Sequence, residues 1–328
     1  MGKLSKLLSR LGLNGFLVGI LASIGLAAVF PEFGSANSGF PWKPIIQVGI
    51  GLLFFLYGLK LDPAQLRSGL SNWRLHLLIQ VTTFLVFPII IFPTLYLFPN
   101  LDPNLALGIR FLSALPSTVS ASVVLVAIAR GNVAATIFNA SLSSLLGIVL
   151  TPLWMKLASV NSAAELDLAV AFQDLSFKVL VPVVLGVSLH KYIFPRLKNV
   201  LTRLKFLDQS VILILVFTTF SESFSQGVFN SFPIKNLITL FAGISGIVIL
   251  AQVALYFSAF KLGFSKEDRI TALFCGSTKS LVHGVAIGKV LFPSSSLLGL
   301  VLLPIMMYHL QQLILGSLLA RRFEKNKP

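Results

Sequence analysis

The chain has 328 residues, of which 55% are hydrophobic and 11% are charged. Soluble globular domains carry about 25% charged residues, so this composition excludes a water-soluble enzyme, a disordered chain and a coiled coil. The net charge is +15, but the basic residues lie mostly between apolar runs, where membrane orientation accounts for them. We therefore expect an all-α membrane protein whose surroundings are a lipid bilayer and which has no nucleic-acid partner.

Ten apolar runs are long enough to cross the hydrocarbon core of a bilayer, which takes about 20 residues per helix. The first run follows three basic residues, so a cleaved signal peptide is the alternative to a retained helix. The ten predicted spans are residues 12–30, 44–61, 75–98, 104–129, 133–156, 168–190, 207–226, 236–261, 270–291 and 295–320.

The loops between these spans differ in positive charge. If the N-terminus is cytoplasmic, 19 of the 26 Lys and Arg residues fall on cytoplasmic segments, four on outside segments and three within spans. An excess of Lys and Arg marks cytoplasmic loops. The pattern predicts a multi-pass protein of the plasma or inner membrane with both termini in the cytoplasm.

An internal repeat divides the chain into two halves. Residues 143–152 read SSLLGIVLTP and residues 295–304 read SSLLGLVLLP, and weaker matches pair 117–120 with 277–280 and 80–81 with 252–253. These matches fall in spans 3, 4 and 5 and again in spans 8, 9 and 10. They predict two five-helix repeats, residues 1–157 and 165–328, which are inverted because five is odd. Inverted repeats are typical of secondary transporters, whereas chance matching in Leu- and Ser-rich sequence is the alternative.

Spans 4 and 9 each contain a polar interruption. In span 4, Pro116 removes an N–H and breaks or kinks the helix, and Ser117, Thr118 and Ser120 follow it. In span 9, Gly276 precedes the run Ser277–Ser280. Irregular backbone survives at membrane depth only where it lines a cavity or is buried in protein. Hydroxyls and freed carbonyls at such breaks can bind a cation, and helix N-termini attract anions; the alternative is that these hydroxyls bond back to their own helix.

Lys279 is an ionisable residue near the middle of span 9, and no acidic residue lies in spans 4 or 9. Such a residue is a functional candidate by default. It could titrate during coupling, fill a cation site as a tethered ammonium or hold an anionic substrate, with snorkelling to the interface as the alternative. His283 lies one turn later on the same face, where a packing role competes with that of a proton relay. For His309, Gln311 and Gln312 in span 10 the same two roles, packing and proton relay, are the alternatives.

The string ARGNVA at residues 129–134 resembles the bile acid:sodium symporter family, solute carrier family 10. The segments GLLFFLYGLKL (51–61), WRLHLL (73–78), LPSTVSASVV (115–124) and STKSL (277–281) are most similar to its SBF-like subgroup of sodium-dependent transporters. The resemblance covers almost the whole chain. It implies a core domain of spans 3–5 and 8–10, in which the broken helices of spans 4 and 9 cross, and a panel domain of spans 1, 2, 6 and 7. Substrate would bind between the domains, with two sodium ions behind the crossing.

The resemblance also implies positions for the binding residues. The first sodium site falls on Ser122 and Thr136, with Asn139 beside a position where the family has Thr. The second site falls on Gln80, and the acidic residue shared by both sites falls on Phe274, so we expect fewer coupling ions. The predicted cation-binding residues are Ser122, Thr136, Asn139, Gln80, Ser277 and Thr278. The predicted substrate and coupling residues are Ser117, Thr118, Ser120, Lys279, Ser280 and His283.

We expect a secondary active transporter that couples an organic anion to sodium by alternating access. The alternatives are a proton-coupled transporter of the same fold that uses Lys279, and a membrane regulator of ion handling that moves no solute. An intramembrane enzyme is not expected, because the sequence offers no convincing nucleophile–base pair or metal-binding motif. We expect no catalytic residues, no cofactor and no metal ion other than sodium as the coupling ion, and the single Cys275 excludes an internal disulfide.

Overall fold

The computed structural model describes residues 15–60, 72–159, 173, 176–197, 201–230, 233–292 and 298–325. In these ranges the chain is helical and contains no strand. Several sequence predictions lie outside the described residues: the basic residues 3, 6 and 10, the start of span 6, the boundary between the two repeats, and Ser295 at the start of the second SSLLG segment.

The α-helices of the described residues follow one another along the chain, with short π-helical and 3-10 turns between some of them. The π-helical turns are Thr82–Val86 and Ser176–Leu180, and the 3-10 turn is Leu95–Leu97. The helices are α1 (Gly15–Val29), α2 (Pro31–Gly34), α3 (Trp42–Lys60), α4 (Trp73–Val81), α5 (Phe87–Thr94), α6 (Pro103–Ala114), α7 (Val119–Ile128), α8 (Val133–Ser159), α9 (Val181–Leu197), α10 (Leu201–Ser225), α11 (Ile234–Lys261), α12 (Lys266–Ser277), α13 (Leu281–Leu291) and α14 (Leu298–Lys325).

Within the described residues, seven helical segments are long and apolar enough to cross a membrane, and the bent pair α6 and α7 makes an eighth if it counts as one span. Two shorter apolar helices cover Val18–Val29 and Gln209–Ser225. The chain is therefore a multi-pass membrane protein. The total of ten spans, the inverted relation of the two halves and the placement of the termini stay predictions.

Both predicted helix interruptions are present. The pair α6 and α7 bends by 61°, and Leu115 and Thr118 at the ends of the break have extended backbone. The helix of span 9 stops after Ser277 and resumes at Leu281, with Thr278 also extended. Pro116 explains the first interruption because it has no N–H and clashes with the preceding turn.

The second interrupted pair, α12 and α13, and the break between α6 and α7 lie in the interior of the molecule. In an apolar 18-residue stretch within α12 and α13, 94% is buried, compared with 22% in a stretch of the same length within α11. Leu250 on α11 is 70% exposed, as expected for a helix whose apolar side chains face lipid. Irregular backbone is thus shielded from the hydrocarbon by the surrounding helices.

Helices α3 and α9 pack with their backbones in direct contact. A Cβ added at Gly58 would collide with the carbonyl group of Val183, and one added at Gly186 would collide with the carbonyl oxygen of Phe55. Small residues allow such close approach between membrane helices, where packing drives association. Glycine is therefore required at both positions for this pair to form.

Candidate functional site

The two helix interruptions meet and hydrogen-bond to each other. The amide N–H of Ser280 donates to the carbonyl oxygen of Pro116 over 2.9 Å. The hydroxyl of Ser117 donates to the carbonyl oxygen of Cys275 over 2.6 Å. In each bond the two partners are far apart in sequence, so the fold brings the two predicted breaks to one place. We call this place the crossing: the interruptions at Leu115–Thr118 and Thr278–Ser280 with the residues bonded to them.

Three hydroxyls form a directed chain at the crossing. The Oγ atom of Ser117 lies 3.0 Å from Oγ1 of Thr278, which lies 2.7 Å from Oγ of Ser122. Each hydroxyl has one proton to donate. Because Ser117 gives its proton to the Cys275 carbonyl, Thr278 must donate to Ser117 and Ser122 must donate to Thr278. The lone pairs of Ser122 end the chain.

Helix α8 supports the first interruption. The hydroxyl of Ser143, the first residue of the SSLLG repeat, accepts from the amide N–H of Ser117 over 2.9 Å. The hydroxyl of Thr151 donates to the carbonyl oxygen of Ala114 over 2.8 Å. Carbonyl groups at a helix C-terminus have no intrahelical partner, and here a neighbouring helix supplies one.

Lys279 satisfies three further carbonyl groups. Its side chain is fully buried, and its Nζ donates to the carbonyl oxygens of Ser113 at 2.7 Å, Leu115 at 2.9 Å and Thr83 at 2.9 Å. An ammonium has three donors, so each finds one acceptor. The ring of Phe87 lies 4.2 Å from Nζ, within the range of a cation–π contact. Carbonyl dipoles and a ring face surround the charge.

Pro88 explains why the Thr83 carbonyl accepts from a lysine. In the π-helical turn the N–H of Phe87 donates to the carbonyl of Thr82, so it does not serve Thr83. The next residue is Pro88, which has no N–H. The carbonyl of Phe84, one residue on, accepts from the indole Nε1 of Trp154 over 2.6 Å. Side chains from other helices thus take both carbonyls that the proline leaves without a helical donor.

Helix α14 holds the second interruption. The side chain of Gln312 accepts from the amide N–H of Lys279 at 2.8 Å and donates to its carbonyl oxygen at 3.0 Å. The hydroxyl of Tyr308 donates to the carbonyl of Ser277. His309 contributes through its Nδ1 atom, 2.8 Å from Nε2 of Gln312. The amide of Gln312 thus replaces the backbone bonds that the break removes, a structural role that the sequence did not specify.

The other predicted cation-binding residues lie in two neighbouring networks. Thr136 donates to the carbonyl of Asn132 over 2.9 Å, and Thr271 donates to the same carbonyl over 3.0 Å. The amide of Gln80 donates to the carbonyl of Asn139 over 3.0 Å, and Nδ2 of Asn139 lies 2.8 Å from Nδ1 of His76. Gln80 and Asn139, predicted for different sodium sites, are thus bonded to each other.

Two buried oxygens near this network have no hydrogen-bond partner in the described part of the chain. They are Oε1 of Gln80 and Oγ1 of Thr83, which lie about one turn apart on the same helical segment. Buried polar atoms are rarely left without a partner. Their lone pairs are available to a cation, and the sequence alone did not single out Thr83.

The remaining predicted residues are placed as follows. His283 bonds through Nδ1 to the hydroxyl of Ser280 at 2.9 Å, and its ring stacks on Tyr57 of α3 at 5.2 Å. Ser277 donates back to the carbonyl of its own helix at Leu273, as the alternative interpretation allowed. Thr118 is buried at the start of α7, but its side chain does not cap that helix, while Ser120 is exposed and is not brought to the crossing.

Phe274 lies at the position where the resemblance places the acidic residue of the two sodium sites. It is fully buried and packs in an apolar cluster with Leu125, Val126 and Ile270. Among the described residues, no group of three or more His, Cys, Asp or Glu side chains is placed to hold a metal ion. Any cation at this site would have neutral oxygen ligands.

An apolar groove lies away from the crossing, between α5, α6 and α11. Its volume is about 270 Å³, and it contains none of the predicted site residues. Residues that line it include Ile91, Leu95, Phe98, Ile109, Leu240 and Ile244.

Comparison with known proteins extends over nearly the whole chain. The sequence profile of the SBF-like CPA transporter family matches residues 14–325. A Pseudomonas aeruginosa protein named "Uncharacterized protein PA2026" is 40% identical over 320 residues, 96% of this chain and 94% of that protein. An Escherichia coli protein named "Putative symporter YfeH" is 35% identical over 316 residues, covering 95% and 93% of the two chains. The Rattus norvegicus protein "Sodium/bile acid cotransporter 7" is 34% identical over 320 residues, covering 96% and 93%.

Proposed function

Because this chain belongs to the SBF-like CPA transporter family, we propose that it moves an organic anion across the membrane together with a sodium ion. The resemblance carried by residues 129–134 and 277–281 is confirmed by that membership. The chain is a membrane transporter of this family, and its relatives include the protein named "Putative symporter YfeH". The solute, the coupling ion and the alternating-access mechanism are the parts that we propose.

The observation that carries the mechanism is the bond between the two interruptions. Ser280 and Pro116 join through main-chain atoms, so the broken helices hold each other at mid-length. In secondary transporters, sites made from discontinuous helices lie near the bilayer midplane and are opened to one side or the other by movement of helix bundles. The crossing provides the fixed element around which such a movement can take place.

The features of the crossing that favour an anionic solute are the charge of Lys279 and two helix N-termini. The Lys279 ammonium is surrounded by neutral groups. Helices α7 and α13 both begin at the crossing, and helix N-termini carry partial positive charge. The relatives named sodium/bile acid cotransporter make a bile acid the first anion to test.

Neutral oxygens favour sodium as the coupling ion. Oε1 of Gln80 and Oγ1 of Thr83 are unbonded within the described residues, and hard cations prefer oxygen ligands. Ser122, Thr136 and Asn139 add oxygens in the adjoining networks. Since Phe274 provides no carboxylate, we propose one sodium ion for each transport cycle.

The test is sodium uptake by the purified protein in liposomes. Radioactive ²²Na⁺ influx is measured with a panel of organic anions that begins with cholate, at equal internal and external pH. We expect at least one anion to accelerate influx, and Gln80→Leu to reduce the response. Gln47→Leu, at an exposed position on α3, is the matched control and should leave the response unchanged.

Other outcomes distinguish the alternatives. Anion uptake that follows an imposed pH difference and ignores sodium would replace our proposal with proton coupling. If no anion in the panel crosses the membrane under either gradient, while the protein remains folded, the interpretation as a regulator of ion handling gains support.

A further inference from the structure

We propose that the carbonyl oxygens of Thr83, Ser113 and Leu115 and the ring of Phe87 form a monovalent-cation site that the chain fills with its own Lys279 ammonium. We call these four groups the carbonyl cage. When the ammonium is removed, the carbonyl cage takes a free monovalent cation from solution.

The ligands of the cage are of the kind that binds free monovalent cations. The three oxygens lie 2.7–2.9 Å from Nζ, as in charge-assisted N–H···O bonds. Backbone carbonyl oxygens replace the hydration shell of K⁺ in channel filters. The Phe87 ring covers another side at 4.2 Å, where its face attracts a cation. The oxygens and the ring together suit a cation of single charge.

The backbone sets two of the three oxygens free independently of Lys279. Thr83 lacks a helical donor because Phe87 bonds to Thr82 and residue 88 is proline. At the end of α6, the N–H of Leu115 donates to the carbonyl of Leu112. The next amide that could continue this tighter winding, and so reach Ser113, belongs to Pro116, which has no N–H. Two prolines therefore create acceptors that some other donor or cation must satisfy.

Removal of the lysine side chain leaves these oxygens buried and without a donor. A buried carbonyl that loses its partner destabilises the folded state. The Lys279→Ala variant lacks three carbons and the nitrogen of the side chain, which are the atoms of propylammonium. A cation that enters the cage binds only the folded protein, so it raises stability by mass action.

The experiment measures thermal unfolding of the purified full chain in detergent. Wild type and Lys279→Ala are compared in propylammonium, potassium, sodium and choline chlorides at equal ionic strength. We expect the Tm of Lys279→Ala to rise saturably, by about 2–4 °C or more, with propylammonium and with potassium relative to choline. The wild type should have the same Tm in propylammonium, potassium and choline. A variant whose Tm is equally indifferent to these cations would overturn the proposal.

The proposal can also be tested if Lys279→Ala is too unstable in choline for its Tm to be measured. In that case the yield of monodisperse Lys279→Ala becomes the measurement, and we expect propylammonium to restore it. A yield that is equally low in both salts counts against the cage.

An independent arm uses Phe87→Leu in two backgrounds. We expect it to lower the Tm more in the wild type than in Lys279→Leu, because only the wild type places a cation against the ring. Equal losses in the two backgrounds would exclude the ring as part of a cation site.

These unfolding measurements do not require the protein to transport a solute. The consequence of the cage for ion coupling rests on the proposed function. Because Lys279 already fills the cage, the native protein would bind its coupling ion at a different position. If ²²Na⁺ uptake fails but the Tm test succeeds, the cage is supported and the sodium symport is contradicted. If uptake succeeds but the Tm test fails, only the cage is contradicted.

Discussion

The amide N–H of Ser280 and the carbonyl oxygen of Pro116 are joined over 2.9 Å, so one of the bonds between the two helix interruptions is made by main-chain atoms alone. The contact does not depend on the identity of either side chain, apart from the need for an N–H at position 280. Side-chain variants at the crossing can therefore alter bonding and transport while the link between the breaks is kept. The following variants use this property and the packing around it.

Gln312→Leu should lower the free energy of unfolding by about 2–6 kcal/mol, because it leaves both backbone groups of Lys279 without a partner at about 1–3 kcal/mol each. Gln311→Leu is the matched control. Gln311 donates to the carbonyl of Phe241, which also accepts from Ser245 and so stays bonded; we expect a loss of about 0.5–1.5 kcal/mol. Denaturant unfolding of the two variants measures the difference, and equal losses would contradict the role of Gln312.

Thr278→Val removes the middle hydroxyl of the chain that runs from Ser122 to Ser117. We expect the apparent affinity for sodium in ²²Na⁺ uptake to fall about tenfold or more, since one buried hydrogen bond is worth about 0.5–1.5 kcal/mol and its unpaired partners add to the loss. Thr278→Ser keeps the hydroxyl and should retain the sodium response. A normal sodium titration in Thr278→Val would separate this hydroxyl chain from the coupling site.

Gly147→Ala should destabilise the protein and disturb the first interruption. A Cβ there would lie 2.7 Å from Cγ of Pro116, and neither the proline ring nor helix α8 can move away without displacing the break. Gly243→Ala in α11 meets nothing within 4 Å and should stabilise by about 0.5–1 kcal/mol through helix propensity. Tm measurements on both variants test the pair; a stable Gly147→Ala would show that the break is not tightly packed on α8.

Asp268→Asn should loosen the end of the molecule where α12 begins. The Asp268 carboxylate accepts from Asn72 at 2.9 Å through one oxygen and from Asn132 at 3.0 Å through the other. The asparagine side chain has only one oxygen, so it cannot replace both acceptors. We expect a loss of about 1.5–3 kcal/mol, typical of hydrogen bonds to a charged group. Glu267→Gln removes the same charge from the adjacent exposed residue and should cost less in the same unfolding assay. If the two costs are equal, charge rather than the two bonds accounts for the effect.

The sequence predicted the interruptions because their signals are local. Pro116 and the polar run Ser277–Ser280 cannot continue an apolar helix without a change in backbone bonding. Pro88 carried an equally local signal, since a proline inside span 3 also leaves carbonyls without donors. Its importance was missed because the sequence does not say which distant donor, Lys279 or Trp154, will take each carbonyl.

The contacts between helices could not be predicted from spacing. Gln80 and Asn139 were assigned to separate sodium sites by resemblance, whereas the fold bonds them to each other. Gln312 carries no sequence feature that distinguishes it from Gln311; only the rotation of α14 places one on Lys279 and the other on Phe241. Such choices depend on how helices pack, which a single sequence leaves open.

Helices α3 and α9 are in backbone contact at Gly58 and Gly186, whereas α3 meets α13 through ring contacts: Tyr57 stacks on His283 and Phe54 meets the same ring edge-on. Interlocked main chains resist shear, but stacked rings can slide past each other with little change in contact area. Helices α3 and α9 should therefore travel as a single rigid body, and displacement relative to the crossing should occur in the plane between those two rings. Spin-label distances measured with and without a transported anion would show this as a constant separation within the pair and a changing one from α3 to α13.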